Sequence, residues 1–349
     1  MKNFNWQIVG HEKNLKFLQK NIVNDKLAHA YLFAGPVHLG KNFVARQFMS
    51  AILCHDYHLK NKLPLAEIPC GQCVFCNQIS KGIHPDVYYL KKEEDKKNIS
   101  VEQVREMQKL LQMASFLNSY KIALIENADD LNESSQNALL KILEEPKRKT
   151  ILILISTDPK LLLATLVSRC QLIKFLPLSD EKIFHHLISL EASREQGRLF
   201  TALAHGQIGL AVDFYKKPEL FKDYSDRINQ FLELFQHNLT ARFRIINDLL
   251  LDFKNNLEIS DYLKEELDFW QLILRDVLLE KNNLSALMTN FSYKDKISRL
   301  AKKYSNSEII GLLSEIKKIN QFLNYNINPR LAVENLVLNF SAKGASASG

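Results

Sequence analysis

Long hydrophobic runs are missing from this 349-residue sequence. The strongest, Ile151 to Ile155, has the length of a strand, whereas a membrane-spanning helix needs about 20 apolar residues; no membrane association is expected. Proline and glycine are scarce, at 9 and 11, which excludes collagen-like and extended low-complexity chains. Excess charge of one sign is small as well: 46 Lys and Arg against 39 Asp and Glu leave +7. That surplus permits contact with a polyanion, but no basic helix or finger motif accompanies it, so sequence-specific DNA reading is not expected. The N-terminal residues Met1-Lys2-Asn3-Phe4-Asn5-Trp6 carry no secretory signature, and a cytoplasmic location is expected. Cysteine is also sparse, with five in all, too few and too unevenly placed for a disulfide framework.

What is present is apolar residue in quantity, 46 per cent, enough at this length for two or three packed domains. Up to about residue 180 short apolar strands alternate with helical patterns. Ala30 to Ala34, Lys121 to Ile125 and Thr150 to Ile155 are the strand candidates. A helix is predicted from Asn42, because Phe43, Val44, Gln47, Phe48, Ala51 and Ile52 favour one face. Another is predicted after Ser134 or Ser135 as cap, with Ala138, Leu139 and Ile142 inward and Pro146 ending it. Strands separated by helices imply an α/β domain, a parallel sheet covered on both faces. From Leu178 the strand signal fades. The boundaries read as 1–177 for the α/β domain, 178–215 for a small helical lid broken at Gly206-Gln207-Ile208-Gly209, and 216–342 for an all-helical domain. Residues 343–349 read as a flexible tail.

Gly35-Pro36-Val37-His38-Leu39-Gly40-Lys41-Asn42 has the GxxxxGK spacing of a phosphate-binding loop between a strand and a helix. In such a loop the glycines let backbone amides converge on phosphate, and the lysine reaches the terminal phosphates. The eighth position needs a Ser or Thr hydroxyl for magnesium; here it is Asn42. The metal-side acids depart too. An active motor needs an Asp-Glu pair after the second strand, and this chain has Glu126-Asn127. Two departures at one chemical centre argue against hydrolysis and leave nucleotide binding open. Outside such a role, Lys41 reads as a solvated lysine beside a helix start.

Four of the cysteines fall between residues 54 and 76, three of them in Cys70-Gly71-Gln72-Cys73-Val74-Phe75-Cys76. Two-residue gaps aim neighbouring thiolates at one point, which suits tetrahedral zinc. Cys54 is the expected fourth ligand, with His55, His58 and His84 as alternatives. Four protein ligands leave no open position, so the zinc is expected to be structural. Cys170 reads as a packed free thiol.

Several strings follow one another in a telling order: His29-Ala30-Tyr31-Leu32-Phe33-Ala34-Gly35, Cys70 to Cys76, His84-Pro85-Asp86, Asn137 through Leu139-Leu140-Lys141-Ile142-Leu143-Glu144-Glu145-Pro146, Ser156-Thr157-Asp158-Pro159 and Ser168-Arg169-Cys170. In them the chain resembles the delta-prime, gamma and tau group of bacterial DNA polymerase III clamp loaders, which are AAA+ proteins. Trp270, Arg275-Asp276 and Asn328-Pro329-Arg330-Leu331-Ala332-Val333-Glu334-Asn335 resemble the collar domain of the same group. The resemblance implies an AAA+ core, a lid and a collar. It implies that Arg169 reaches ATP bound by an adjacent gamma or tau subunit as an arginine finger, a rigid and permanently charged donor to developing phosphate charge. Thr157 fits the position that senses the terminal phosphate in active relatives. The lid's second-sensor arginine is absent, with Gly209 in its place.

A damaged local site beside an intact residue offered to a neighbour points to the non-hydrolysing, delta-prime-like member of the group. The partners implied are gamma or tau and delta subunits, and through the assembled ring the sliding clamp and primed DNA. Phosphate contacts through Lys147-Arg148-Lys149 are a further expectation. An active gamma-like subunit and a stand-alone adaptor with a dead nucleotide fold are the alternatives; a nucleotide kinase is disfavoured by the missing magnesium hydroxyl.

Overall fold

The computed structural model describes residues 4, 6–55, 67–93, 96, 98–113, 115, 119–146, 149–253, 255–323, 325 and 327–340. His58, Lys147, Arg148 and the 343–349 tail lie outside them. The described residues divide into two units, one formed by the chain up to Glu191 with Gly206–Ala211, the other by Ala192–His205 and the chain from Val212.

The first unit is built on five strands: β1 (Ala30–Ala34), β2 (Val87–Leu90), β3 (Lys121–Ile125), β4 (Thr150–Ser156) and β5 (Gln171–Lys174). All pairings are parallel, in the order β2-β3-β4-β1-β5. β1 and β4 are buried along their whole length, as central strands covered on both faces must be. Alternation divides their side chains between two cores. Tyr31, Phe33, Ile151, Ile153 and Ile155 join α1 (Glu12–Val23) and α2 (Lys41–Leu53) through Leu18, Val44 and Phe48. Ala30, Leu32, Leu152 and Leu154 join α4 (Val101–Gln112) and α5 (Glu133–Glu144) through Val104, Met107, Leu139 and Leu143. Between these helices, α3 (Val74–Lys81) precedes β2. The expected α/β sheet with helices on both faces is therefore present, and the C-terminal region is all-helical in the manner of a collar-like domain.

One local expectation fails. α5 is capped not by Ser134 or Ser135 but by Asn132, whose side-chain oxygen accepts the Ser135 amide at 2.8 Å. The Ser135 hydroxyl, fully buried in the first turn, instead donates to the Ile99 carbonyl at 2.7 Å. Asn and Ser are about equal as caps, so the long-range Ile99 contact decides which of them stands outside the helix.

The second unit has a separate core drawn from residues 228–340. Its axis is a helix spanning Asn256–Lys281, whose Trp270 meets Phe231 and Phe340 at ring distances of 5.2 and 6.0 Å. Two carboxylates are buried in this unit, and each is saturated. Glu266 accepts from Trp270 Nε1 at 2.9 Å and from Arg227 at 2.7 Å. Asp276 accepts from the amides of Thr289 and Asn290 at 3.0 and 2.7 Å and from Asn290 Nδ2 at 2.9 Å, pinning the loop that follows the long helix. The Arg275-Asp276 pair noted in the sequence thus has a packing role. No helix among the described residues is long and apolar enough to cross a membrane.

Candidate nucleotide fold and metal centre

The phosphate loop leaves β1 at Gly35 and enters α2 at Gly40, so it lies at the C-terminal ends of the strands, where parallel α/β sheets bind ligands. Gly35 has φ 146°, and a Cβ there would run into the Phe175 carbonyl; only glycine lets the loop leave the sheet. Gly40, at φ 81°, caps α2 in the left-handed region.

Four side chains that a nucleotide or its metal would use, Lys41, Asn42, Glu126 and Thr157, are engaged by the chain itself. Lys41 is not solvated: it is 6% exposed and donates to the loop carbonyls of Gly35 and, at 2.6 Å, Pro36. Burial lowers its pKa, against the opposing pull of Asp129. Asn42 Oδ1 accepts from Arg46 Nε at 3.3 Å. Glu126, just past β3, takes Arg46 Nη2 on one oxygen at 2.9 Å and Lys91 Nζ on the other at 2.8 Å. Asn127 is exposed. Asp129 collects the Thr157 hydroxyl at 2.6 Å, the Thr157 amide at 2.8 Å and the Ser156 hydroxyl at 2.5 Å, so the Thr157 hydroxyl faces a carboxylate. The segment Gly206–Ala211, part of the same unit, reaches the loop. The Gly209 amide donates to the His38 carbonyl at 2.7 Å, and a Cβ on Gly209 would stand 2.8 Å from that oxygen.

Magnesium requires about six oxygen ligands at 2.0–2.1 Å in octahedral geometry. The oxygens available here already accept hydrogen bonds, Asn42 and Glu126 from nitrogen donors and Asp129 from the Ser156 and Thr157 hydroxyls and the Thr157 amide, and the eighth-position ligand is an amide. This donor set does not fit the ion. Arg46 and Lys91, which complete the arrangement, escaped the sequence reading. Only Arg46 had a local signal, standing one helical turn after Asn42 on the same face.

Arg169 lies beyond the short helix Ala164–Val167, just before β5. Its side chain is 37% exposed, donates to the Thr165 carbonyl at 2.9 Å and pairs with Glu144 at 3.0 Å. Cys170 is partly buried against the α4–α5 core, and burial pushes its thiol up to about 12, which disarms it as a nucleophile.

Cys54, Cys70, Cys73 and Cys76 converge, with all four sulfurs within 4.8 Å of one another. Cys54 follows α2, and Cys76 lies in the first turn of α3. Two turns of backbone aim the sulfurs: the Cys73 amide donates to Cys70 Sγ at 3.3 Å and the Cys76 amide to Cys73 Sγ at 3.4 Å. Cys70 and Cys76 Sγ are 3.9 Å apart; zinc with four Zn–S bonds of about 2.3 Å holds its sulfurs about 3.8 Å apart. The thiol of Cys76 is pushed strongly upward by hydrogen bonding with Cys54 and by burial, and that of Cys70 upward by burial. Such sulfurs ionise together only around a cation, so the donor set fits a metal ion. Of the alternative ligands, His84 is buried against Phe75 with Nδ1 taking the Asp86 amide at 3.1 Å, and His55 lies against the same ring.

Comparison with known proteins finds these similarities. The family model described as DNA polymerase III, delta subunit, matches residues 10–179. The chain is similar to DNA polymerase III subunit delta' of Bacillus subtilis (strain 168), 28% identical over 325 residues that cover 93% of this chain and 94% of that protein. It is also similar to DNA polymerase III subunit delta' of Pseudomonas aeruginosa, 41% identical over 143 residues, 41% of this chain and 42% of that one. Among solved structures, a DNA polymerase III gamma subunit-related protein from Thermotoga maritima aligns over 93% of this chain and 97% of its own with 13% identity and a TM-score of 0.48. The chain resembles bacterial DNA polymerase III delta-prime and clamp-loader family members.

Proposed function

We propose that this chain is the non-hydrolysing, delta-prime-type subunit of a bacterial clamp loader, donating Arg169 to ATP bound on a neighbouring subunit. One asymmetry carries the reading. Lys41, Asn42, Glu126 and Thr157 are all occupied by the chain's own groups, whereas Arg169 sits at the surface with a side chain more than a third exposed. Its partner Glu144 is 53% exposed, so the pair is a weak one. A guanidinium in that condition can exchange a surface carboxylate for phosphate oxygens, which it binds more strongly through charge-assisted bonds. Gly35, Gly40, Lys41, Asn42 and Thr157 are then the remains of a nucleotide site rather than a working one.

In this reading the lid covers residues 178–215 and the helices of 216–342 form the collar. The partners are gamma or tau and delta subunits in the cytoplasm, and through the assembled ring the sliding clamp and primed DNA. Cys54, Cys70, Cys73 and Cys76 hold a structural zinc, whose charge keeps the four sulfurs ionised and ties the end of α2 to the start of α3.

The test is DNA- and clamp-stimulated ATP turnover by a reconstituted complex containing this chain or its Arg169→Ala variant, with the chain alone as control. The chain alone is expected to be inactive. Removing one arginine finger is expected to lower turnover at the neighbouring site by about 1,000-fold or more, with total turnover falling by that site's share. Turnover by the isolated chain would overturn the reading; full assembly with unchanged turnover would remove the role of Arg169.

A further inference from the structure

Arg46 stands one helical turn after Asn42 on α2, and β3 delivers Glu126 to the same point. Its guanidinium bridges them, with Nε 3.3 Å from the Asn42 amide oxygen and Nη2 2.9 Å from the Glu126 carboxylate. These two positions, the eighth of the phosphate loop and the residue after β3, are where a nucleotide fold presents oxygens to its divalent ion. The Tyr89 ring, its centroid 5.1 Å from the guanidinium carbon, supports the cation from the side. Lys91 takes the other Glu126 oxygen at 2.8 Å.

Without an ion, the two carboxylates of the site already face three cations. Glu126 and Asp129 are the carboxylates; Arg46, Lys91 and Lys41 are the cations around them. A magnesium ion entering here would meet a fixed positive charge already hydrogen-bonded to both oxygens it needs, and it dehydrates reluctantly even for a ready-made site.

We propose that Arg46 is a built-in replacement for the divalent cation of this nucleotide fold. The guanidinium supplies permanent positive charge at the metal position, holding α2 to the end of β3 whether or not nucleotide or magnesium is present. This deepens the non-hydrolysing reading and rests on it. It adds a consequence that absent motif residues alone do not carry: restoring Asn42→Thr and Asn127→Glu leaves the chain without a metal site as long as Arg46 stays.

The experiment follows thermal unfolding of the full chain without nucleotide, in millimolar magnesium against sodium chloride at matched ionic strength. Wild type is expected to show no magnesium-specific shift. Arg46→Ala should melt lower, and magnesium should recover most of the loss; Arg46→Ala combined with Glu126→Gln should not recover. Arg46→Gln, which keeps most of the stem, serves if the alanine variant does not fold. As a second reading, manganese titrated by electron paramagnetic resonance should bind Arg46→Gln at least about tenfold more tightly than wild type once the repelling charge is gone. Arg46 variants that neither respond to magnesium nor gain manganese affinity overturn the replacement while leaving the proposed function intact, provided wild type remains inactive. Turnover by isolated wild type would instead bring down the proposed function itself.

Discussion

His11 shows how a single side chain beside the phosphate loop makes stability depend on pH. It occupies the left-handed region at φ 54° before α1, packs its ring 4.8 Å from that of Phe175, and has Nε2 3.1 Å from the Leu39 carbonyl. Burial lowers its pKa, outweighing the Leu39 hydrogen bond and the charge of Glu12, which act the other way. With a folded pKa below the unfolded value of about 6.5, the unfolded chain binds the proton more readily. The contribution of this neutral imidazole is therefore fully present above pH 6.5 or so and is lost as pH falls toward the folded pKa. His84, lowered for the same reason of burial, adds a slope of the same sign. The melting temperature is expected to drop on acidification below about pH 6.5, and His11→Asn, which tolerates the left-handed backbone, should lose part of that slope. Equal slopes in the two proteins would exclude His11 as a contributor.

Elements were legible where their signals are local. The GxxxxGK loop, the CxxCxxC turn and the central strands were read within a residue or so, because glycine conformation, thiol spacing and apolar runs act over a few residues. The partners within the site were not. Arg46 and Glu126 are separated by 80 positions and Asp129 and Thr157 by 28; polar pairs of that kind leave no periodic trace. β2 and β5 escaped for a related reason: their half-buried or exposed positions lack the continuous apolar run of a central strand. The cysteine element joins both classes, three thiols from one local turn and Cys54 from the end of α2. Metal analysis of the purified chain is expected to give about one zinc per molecule. Cys76→Ser should lose it and loosen the first turn of α3, where Cys73 Sγ caps the Cys76 amide, with the sheet's cooperative unfolding retained. Undiminished zinc in that variant would break the four-thiolate assignment.

At the scale of the molecule, the notable feature is that its buried clusters do not mix. Among the described residues, the two cores flanking the sheet draw only on residues 4–175, and the helical core only on residues 228–340. A domain with its own apolar core can fold alone, and the helical one also satisfies its buried carboxylates Glu266 and Asp276 internally. Arg227 and Trp270 serve Glu266, the 289–290 loop serves Asp276, and the Arg242 guanidinium donates to the Val337 and Phe340 carbonyls at 3.3 Å. Its last helix, Pro329–Leu338, starts from a strong local signal: Asn328 caps the Arg330 and Leu331 amides, and Pro329 takes the first helical position. A fragment spanning 216–340 is therefore expected to give a helical far-ultraviolet spectrum and a single cooperative melt. Because Phe340 stacks on Phe235 at 4.6 Å and accepts the Tyr304 hydroxyl at 2.5 Å, shortening the fragment to end before Pro329 should abolish that cooperativity. It would strip away Val333, Leu336, Val337 and Phe340, all fully buried. A shortened fragment that melts as sharply as the longer one would mean that the core closes without its final helix, and that the aromatic stack around Phe340 does not hold the domain together.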